Sequence, residues 1–412
     1  MTGGFRVGPR LEGPGEHGDK IMAPETRVST ESAPSGGLAG LMAAIGSIAA
    51  VGLAFSITLP LLALTLEDRG ISSSWIGLNT AFWGLASLAV TPFISRMASA
   101  VGTAQMLALS IAVLALCLPL FYLSPFWVWF PLRLVAGAAV TTTFVLSEFW
   151  ISSAAPPEKR GLVMGIYATV LSAGFALGPL MLSLTGTRTL TPFLAGAAVL
   201  LVGVLPVLAG LKVAPRLSNH AGGGFARFLL LAPVATGAAL LFGCIEAGAF
   251  ALLPLYGQRV GHDRDLVILL GIAVTIGNIL LQLPMGLLSD RLNRPKLLCA
   301  IALFGLAGTA VIPFVAADFR ALMLVLCLWG GVIGGLYPVG LAHLAARFTG
   351  ETLASANAAF IFCYSLGGLI GPAMIGLAMD EWKPHGYTAA LALFFIAYLS
   401  FAVVSIRRNG EA

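Results

Sequence analysis

Two charged side chains stand inside long apolar stretches of the chain, where an isolated charge has a chemical use. Glu246 lies in GCIEAGAFALLPLY, and Arg133 opens the segment RLVAGAAV. A carboxylic acid held away from water can take up and release a proton near neutral pH. We therefore interpret Glu246 as a proton-coupling or cation-binding residue, and Arg133 as a cation that binds substrate or tunes a nearby acid. The alternatives are a structural acid paired with Arg133, and a structural arginine that extends to the membrane interface.

Other ionisable side chains stand at the ends of apolar stretches. Glu148 follows Arg133 by fifteen residues, which on one helix separates them by roughly 22 Å and excludes direct pairing. We interpret Glu148 as a gate or interface ion pair beside Lys159, in preference to a proton site. His343 could titrate near neutral pH, but its position one turn before Arg347 is more typical of an interfacial histidine.

Uncharged polar residues also occur within the apolar stretches. Each suits a hydrogen bond between helices better than a substrate contact, although both uses stay open. They are Asn79, Asn278, Gln282, Tyr337, Asn357 and Tyr364.

The sequence carries no pattern typical of a cofactor or metal site. Its five cysteines lie singly in apolar runs, and the Gly, four residues, Gly-Lys-Ser/Thr loop that binds nucleotide phosphates does not occur. We find no clustered metal ligands and no nucleophile with a plausible base. We expect no enzyme activity, no metal and no cofactor, and a proton gradient as the source of energy.

Composition places the chain in a membrane. Of its 412 residues, 58% are hydrophobic and only 10% are charged, whereas soluble chains carry about 25% charge. The net charge of +5 does not indicate nucleic-acid binding, because the basic residues stand one to three at a time beside apolar segments.

Twelve apolar runs are each long enough for the roughly 20 residues that cross a bilayer as a helix. They cover residues 38–66, 75–98, 103–123, 126–150, 161–184, 191–213, 228–256, 266–289, 297–316, 320–347, 353–379 and 387–406. Residues 1–37, rich in Gly, Pro and Ser, predict a disordered cytoplasmic tail, and residues 407–412 a second short tail. No short apolar segment with a cleavage site precedes the first run.

The distribution of Lys and Arg predicts that both termini face the cytoplasm. In that orientation the inner loops and the C-terminus carry twelve basic residues and the outer loops carry six. The outer six are Arg69, Arg188, Arg259, Arg264, Arg320 and Lys383.

A Gly-rich linker at residues 214–227 divides the spans into two sets of six, residues 38–213 and 228–406. The halves repeat, since Leu59-Pro60-Leu61 recurs 194 residues later and Gly178-Pro179 recurs 193 residues later. A duplicated six-helix bundle, with its site between the halves near the bilayer midplane, follows from this repeat.

A charged hinge joins the eighth and ninth apolar runs at residues 282–298. It contains, in order, Gly286, Asp290, Arg291, Asn293, Arg294 and Lys296. This spacing resembles the loop signature of the major facilitator superfamily of transporters, with Asn293 in place of the second glycine. Because Asn tolerates the left-handed turn that a glycine would make there, this departure from the signature is mild. The first-half copy of the hinge has Ser95 where the signature has an Asp.

The resemblance implies that the hinge controls the switch between two open states. Asp290, Arg291 and Arg294 would then form a cytoplasmic gate together with Glu148. A carboxylate beside the N-terminus of a neighbouring helix gains about 0.3 to 1 kcal/mol, which is enough to bias a shallow equilibrium. The alternative is a charge cluster that only sets the topology.

Further segments resemble the same superfamily. Arg133 followed by Gly137 is similar to its Arg, three residues, Gly helix motif. The run around SEFWISSAAPPEKRG is similar to the YcaD-like group of bacterial inner-membrane facilitators. A Gly, three residues, Gly-Pro motif associated with antiporters, which suits kinked and closely packed helices, occurs twice, as Gly174, Gly178 and Pro179 and again as Gly367, Gly371 and Pro372.

The resemblance implies an all-α membrane protein with twelve helices in two six-helix bundles, and a cavity lined by spans one, four, seven and ten. We predict a secondary transporter of the bacterial inner membrane that works by alternating access and exports a small amphipathic or hydrophobic molecule in exchange for protons. Its expected partners are that substrate, protons and the lipid bilayer, and we expect a monomer. Two alternatives stay open: a uniporter or proton symporter that imports a polar solute such as a sugar or organic acid, and a sensor that transports nothing.

Overall fold

The computed structural model describes residues 37–154, 160–215 and 226–409, and within these residues it contains helices and short connections but no strand. The predicted N-terminal tail, apart from Gly37, lies outside the described residues, as do residues 216–225 of the predicted linker and the last three residues of the C-terminal tail. The described helices belong to one compact unit, Ser35–Ala412.

Within the described residues, twelve helical spans follow one another in the order that the apolar runs predict. The first six are Gly37–Asp68, Ser73–Val101, Thr103–Leu123, Trp129–Ala154, Arg160–Thr185 and Thr191–Ala209. The last six are Pro233–Arg259, Arg264–Arg291, Arg294–Val315, Phe319–Arg347, Gly350–Glu381 and Gly386–Asn409. A six-residue helix, Ala226–Leu231, precedes the seventh span.

Among the described residues, eleven helices are long and apolar enough to cross a membrane, and the fifth span contributes a shorter apolar stretch, Thr169–Thr185. The predicted all-α membrane fold is confirmed. Two spans are interrupted where the sequence predicts continuous helices. The seventh contains a π-helical turn at Ile245–Ala249, and the tenth breaks between Ile333 and Leu336.

The repeated glycine motifs bring two pairs of helices into close contact. In the first half, a Cβ at Gly174 would lie 2.8 Å from the backbone oxygen of Ala49 in span one. In the second half, a Cβ at Gly371 would collide with the backbone of Cys244 in span seven. Spans one and five, and spans seven and eleven, therefore pack through the same motif, and span eleven continues as a helix through Pro372.

The two ends of the bundle are named here by the predicted orientation. The outer end holds the connections after Asp68, Thr185, Arg259 and Glu381, and the inner end is the opposite one. At the inner end, Asn293 has φ −63° and its side chain accepts the backbone N–H of Lys296 at 3.1 Å. The backbone at Asn293 is therefore extended and not left-handed. Asn293 instead caps the N-terminus of span nine. Asparagine is a favoured N-cap residue because its side chain supplies a hydrogen-bond acceptor, which glycine lacks.

Candidate functional site

A cavity of about 210 Å³ lies between the first six and the last six spans. Spans one, four, seven and ten all contribute to its wall, and so do spans two, five, eight and eleven. Most of its surface is apolar or aromatic, and its polar lining consists of Ser87, Thr141, Ser172, Glu246, Asn278, Gln282, Tyr337, Tyr364 and Ser365. This combination of apolar walls with a few converging polar groups is typical of a small-molecule site.

Glu246 is the one carboxylate in the lining of this cavity among the described residues. It occupies the second position of the π-helical turn in span seven, an irregularity that recurs at functional sites in other helices. The hydroxyl of Tyr364, in span eleven, donates a hydrogen bond to Oε2 of Glu246. The acid is thereby held at the cavity surface by a neighbouring helix of its own half.

A connected series of aromatic rings surrounds the carboxylate. Phe55 stacks on Phe175 at 6.1 Å and meets the edge of Trp83 at 5.1 Å. Trp83 in turn meets Tyr364 at 6.1 Å, which crosses from the first half of the chain to the second. Phe242 then stacks on Tyr364 at 6.2 Å. Cavity walls of this kind offer both flat apolar surfaces and negative ring faces to a ligand.

Arg133 does not pair with Glu246. Its side chain is buried between spans four and two, where Nε donates to Oδ1 of Asn79 at 3.2 Å and the guanidinium lies 5.7 Å from the ring centre of Phe121. It borders a separate cavity of about 20 Å³. The ion pair left open by the sequence is therefore not formed, and Asn79 is identified as an interhelical hydrogen-bond partner.

Glu148 lies closer to the central site than its predicted gate role requires. It follows the cavity residues Thr141 and Val145 at helical spacing. None of the three ion pairs among the described residues contains Glu148. Its expected partner Lys159 lies outside those residues, so the gate role stays a prediction.

The predicted polar residues divide into two groups. Asn278, Gln282, Tyr337 and Tyr364 reach the cavity. His343 and Asn357 do not. His343 instead lines a surface pocket of about 340 Å³ at the inner end, together with Arg294 and Arg347.

The predicted inner gate makes no contact between the halves within the described part of the chain. Arg294 approaches Asp290 at 3.8 Å across one helical turn, and 76% of the Asp290 side chain is exposed. Arg291 is also exposed. The gate role of these three residues stays a prediction.

Charged residues at the outer end do join the halves. Of these, the sequence pointed only to Arg259 and Arg264, as signs of orientation, and not to the carboxylates. The carboxylate of Asp380, at the end of span eleven, accepts the backbone N–H groups of Ser73 and Ser74 at 3.1 and 2.7 Å. Those groups open span two, where a helix attracts negative charge. Arg259 donates to the Ser73 hydroxyl and lies 3.5 Å from Asp380.

A second contact of the same kind lies beside it. Arg264, at the start of span eight, forms an ion pair with Asp68 at 2.5 Å and donates through Nε to Thr187 at 2.7 Å. We call Asp68, Ser73, Ser74, Thr187, Arg259, Arg264 and Asp380 the outer latch. Below it, a further hydrogen bond crosses the halves, between the hydroxyls of Ser87 and Ser365 at 2.9 Å. These contacts close the outer end of the bundle.

The family model of the Major Facilitator Superfamily matches residues 44–277 and 260–411. The chain belongs to the Major Facilitator Superfamily. It is thus a multi-pass membrane transporter and not an enzyme.

Two curated relatives within the superfamily cover most of the chain. It is 26% identical over 357 residues to the uncharacterized MFS-type transporter YfkF of Bacillus subtilis, spanning 84% of this chain and 88% of that protein. It is 25% identical over 355 residues to the uncharacterized MFS-type transporter YcaD of Shigella flexneri, spanning 85% of this chain and 90% of that protein. The resemblance to the YcaD-like group is therefore confirmed.

Solved structures of other transporters share the fold. The nucleoside transporter NupG aligns with TM-score 0.72 and 15% identity over 90% of this chain and 98% of its own. A bacterial homolog of the human lysosomal transporter Spinster, in an inward-facing and occupied conformation, aligns with TM-score 0.66 and 13% identity. The alignment covers 88% of this chain and 94% of that protein.

Proposed function

We propose that the chain is a proton-coupled antiporter that exports a small amphipathic or hydrophobic compound, with Glu246 as the group that carries the proton. The observation that supports this most directly is the position of Glu246, a carboxylic acid in the wall of a largely aromatic cavity. In the simplest form of antiport, proton and substrate compete for one group. A carboxylate that is both protonatable and exposed to the bound ligand meets that requirement.

The cavity walls favour the proposed class of substrate. The rings of Phe55, Trp83, Phe175 and Phe242 bind flat apolar groups, and their faces also attract a positive charge. When Glu246 is ionised, a cationic or hydrogen-bonding end of the substrate can neutralise it. When Glu246 takes a proton, that attraction is lost and the substrate is released.

Alternating access would then move this one site between the two sides of the membrane. We propose that residues 38–213 and 228–406 are the two moving halves, with the closed outer latch marking one end state. In the opposite state the latch opens and the inner ends meet, which is where Glu148, Asp290, Arg291 and Arg294 would act as the gate. The glycine-rich contacts within each half suit movement as two compact bodies.

A second candidate is transport of a polar solute. Asn278 and Gln282 both line the cavity, and their amide groups can donate and accept several hydrogen bonds. NupG, which shares the fold, is a nucleoside transporter by its name. Uptake of a nucleoside, sugar or organic acid therefore belongs in any substrate screen.

The deciding experiment measures flux in proteoliposomes that contain the full-length protein, with an imposed pH gradient and an internal pH dye. The screen covers amphipathic amines and dyes, nucleosides, sugars and organic acids. We expect an amphipathic compound to move against the proton flow, and Glu246→Gln, which resembles the protonated acid, to abolish that pH-driven flux. Glu381→Gln, at an exposed carboxylate at the end of span eleven, is the matched control.

Each other result rejects the proposal in a defined way. Proton and substrate movement in the same direction indicates symport. Flux that does not depend on the pH gradient indicates a uniporter, and the absence of flux for every class of compound in the screen indicates a sensor. We further propose that the protein is a monomer of the bacterial inner membrane with both termini in the cytoplasm.

A further inference from the structure

The contact between spans two and four contains an excess of hydrogen-bond donors. Arg133 is only 4% exposed and makes a single hydrogen bond, from Nε to Asn79. Within the described residues, its Nη2 has no acceptor, and neither has Nδ2 of Asn79 nor Nε1 of Trp83. Asn79 and Trp83 are themselves 0% and 6% exposed. A native fold satisfies nearly all such groups, so three in one contact call for an explanation.

Arg133 and Trp83 line one small cavity, and Asn79 is bonded to Arg133 beside it. Trp83 follows Asn79 by one helical turn on span two, and Gly137 follows Arg133 by one turn on span four. A Cβ at Gly137 would lie 3.1 Å from Cδ1 of Trp83, the ring carbon next to Nε1. The absence of a side chain at Gly137 thus lets the indole edge approach the helix that carries Arg133.

The charge of Arg133 is not balanced within the described part of the chain. The three ion pairs there involve other residues, and Glu246 is bonded to Tyr364 on a different helix. A buried guanidinium stays protonated under all physiological conditions, and burying an uncompensated charge is strongly unfavourable. The cavity of about 20 Å³ that Arg133 and Trp83 share exceeds the space that one water molecule needs, which is about 10 to 15 Å³.

We propose that this contact is a binding site for one small monovalent anion of the size of chloride, held by Arg133, Asn79 and Trp83. Positive charge together with N–H donors and no competing carboxylate selects an anion over a cation or a neutral solute. Apart from Thr58, the rest of the cavity lining is apolar or aromatic and includes Leu59, Leu114 and Val140. A large, strongly hydrated anion such as sulfate is therefore disfavoured there. The anion neutralises Arg133 and satisfies donors that the protein leaves without acceptors.

The site also has a structural link to the contact between the halves. The six-membered ring of Trp83 packs on Gly368 in span eleven, where a Cβ would lie 2.5 Å from the ring. Trp83 therefore touches the anion site with one edge and the opposite half with the other. Anion binding thus fixes a side chain on which the closed arrangement of spans two and eleven depends.

The test is a halide titration of the purified full-length protein in detergent, with the unfolding temperature as readout. Sodium chloride or bromide replaces sodium gluconate at constant ionic strength, so that general screening stays unchanged. We expect a saturating rise in the unfolding temperature with either halide and none with sulfate. Bromide-soaked crystals should show anomalous scattering beside Arg133.

Variants separate the site from a general salt effect. Arg133→Gln should abolish the saturating response. Trp83→Phe keeps a ring but removes the N–H, and should raise the half-saturating halide concentration about tenfold. Arg320→Gln and Trp75→Phe, at exposed positions, should behave as the unmodified protein. If Arg133→Gln does not fold, Trp83→Phe decides. A flat response in the unmodified protein, or an equal half-saturating concentration in Trp83→Phe, overturns the proposal.

Discussion

The carboxylate of Asp380 accepts the backbone N–H of Ser74 at 2.7 Å. The two residues are separated by 306 positions and lie in different halves of the chain. A contact of this kind must break whenever the outer end opens. The outer latch therefore contributes directly to the free-energy difference between the two end states.

Replacing Asp380 with Asn should shift the protein toward the state that is open at the outer end. The change keeps the size of the side chain but removes the charge that two backbone N–H groups and Arg259 stabilise. Hydrogen bonds to a charged group contribute about 1.5 to 3 kcal/mol, so a roughly tenfold change in population follows. Spin labels at Leu123 and Lys383, both exposed at the outer end, would report longer distances in this variant.

Asp318→Asn is the matched control for that measurement. Asp318 is also an outer-end carboxylate, but it accepts the backbone N–H groups of Arg320 and Ala321 in its own helix, at 2.9 and 3.1 Å. It should leave the label distances unchanged. Equal effects of both variants would show that Asp380 acts by local stability and not as a latch.

The ion pair between Arg264 and Asp68 should behave as a reversible part of the same latch. Arg264→Asp alone places two carboxylates together and should open the outer end. The double variant Arg264→Asp with Asp68→Arg restores opposite charges and should recover most of the closed population, since the pair is only partly exposed. If the double variant is as open as the single one, the hydrogen bond from Arg264 to Thr187, and not the ion pair, is what holds the outer end closed.

Loss of the Tyr364 hydroxyl should weaken proton-driven flux without unfolding the protein. In Tyr364→Phe the ring remains in the aromatic wall, but Glu246 loses its donor and its fixed orientation. We expect a fall in pH-driven flux of about tenfold, the usual scale for one hydrogen bond to a charged group. Tyr337→Phe, in the same cavity, should have a smaller effect. Equal losses in both variants would argue that the hydroxyl has no special role.

Two glycine replacements should have different effects on stability, because one glycine lies in the close contact between spans seven and eleven and the other faces open space. Gly371→Ala forces a Cβ against the backbone of Cys244, and overpacking of this kind costs about 1 to 3 kcal/mol. Gly286→Ala, in span eight, meets nothing within 4 Å and should stabilise its helix by about 0.5 to 1 kcal/mol. Unfolding temperatures in detergent would show a fall for the first variant and no fall for the second. A rise for both would mean that span eleven moves aside at little cost.

The sequence identified the isolated acid but not the group that holds it. Glu246 was detectable because a lone carboxylate in an apolar helix stands out in composition. Its hydrogen bond to Tyr364 depends on how spans seven and eleven pack, which local patterns do not encode. Arg133 was detectable for the same reason. Because its charge is opposite to that of Glu246, an ion pair between the two was a natural expectation, but the separation of spans four and seven prevents it.

The outer latch could not be predicted because its residues have an equally good local explanation. Arg259 and Arg264 stand at helix ends, where basic residues commonly set orientation. Only the fold brings Arg264 to Asp68. The aromatic wall of the cavity was missed because a Phe or Trp in an apolar helix looks the same in sequence whether it faces a cavity, the core or the lipid. The repeat was detectable, since Gly178-Pro179 and Gly371-Pro372 recur at nearly one offset.

The wide π-helical turn at Ile245–Ala249 places one more residue in that part of span seven than ordinary α-helical winding would. Tightening that turn to ordinary α-helical winding would swivel Glu246 by about 100° relative to the outer part of the helix. A local rewinding would then suffice to withdraw the acid from Tyr364 while both bundles stay at rest. Proton release would in that case precede the large rearrangement and set its timing.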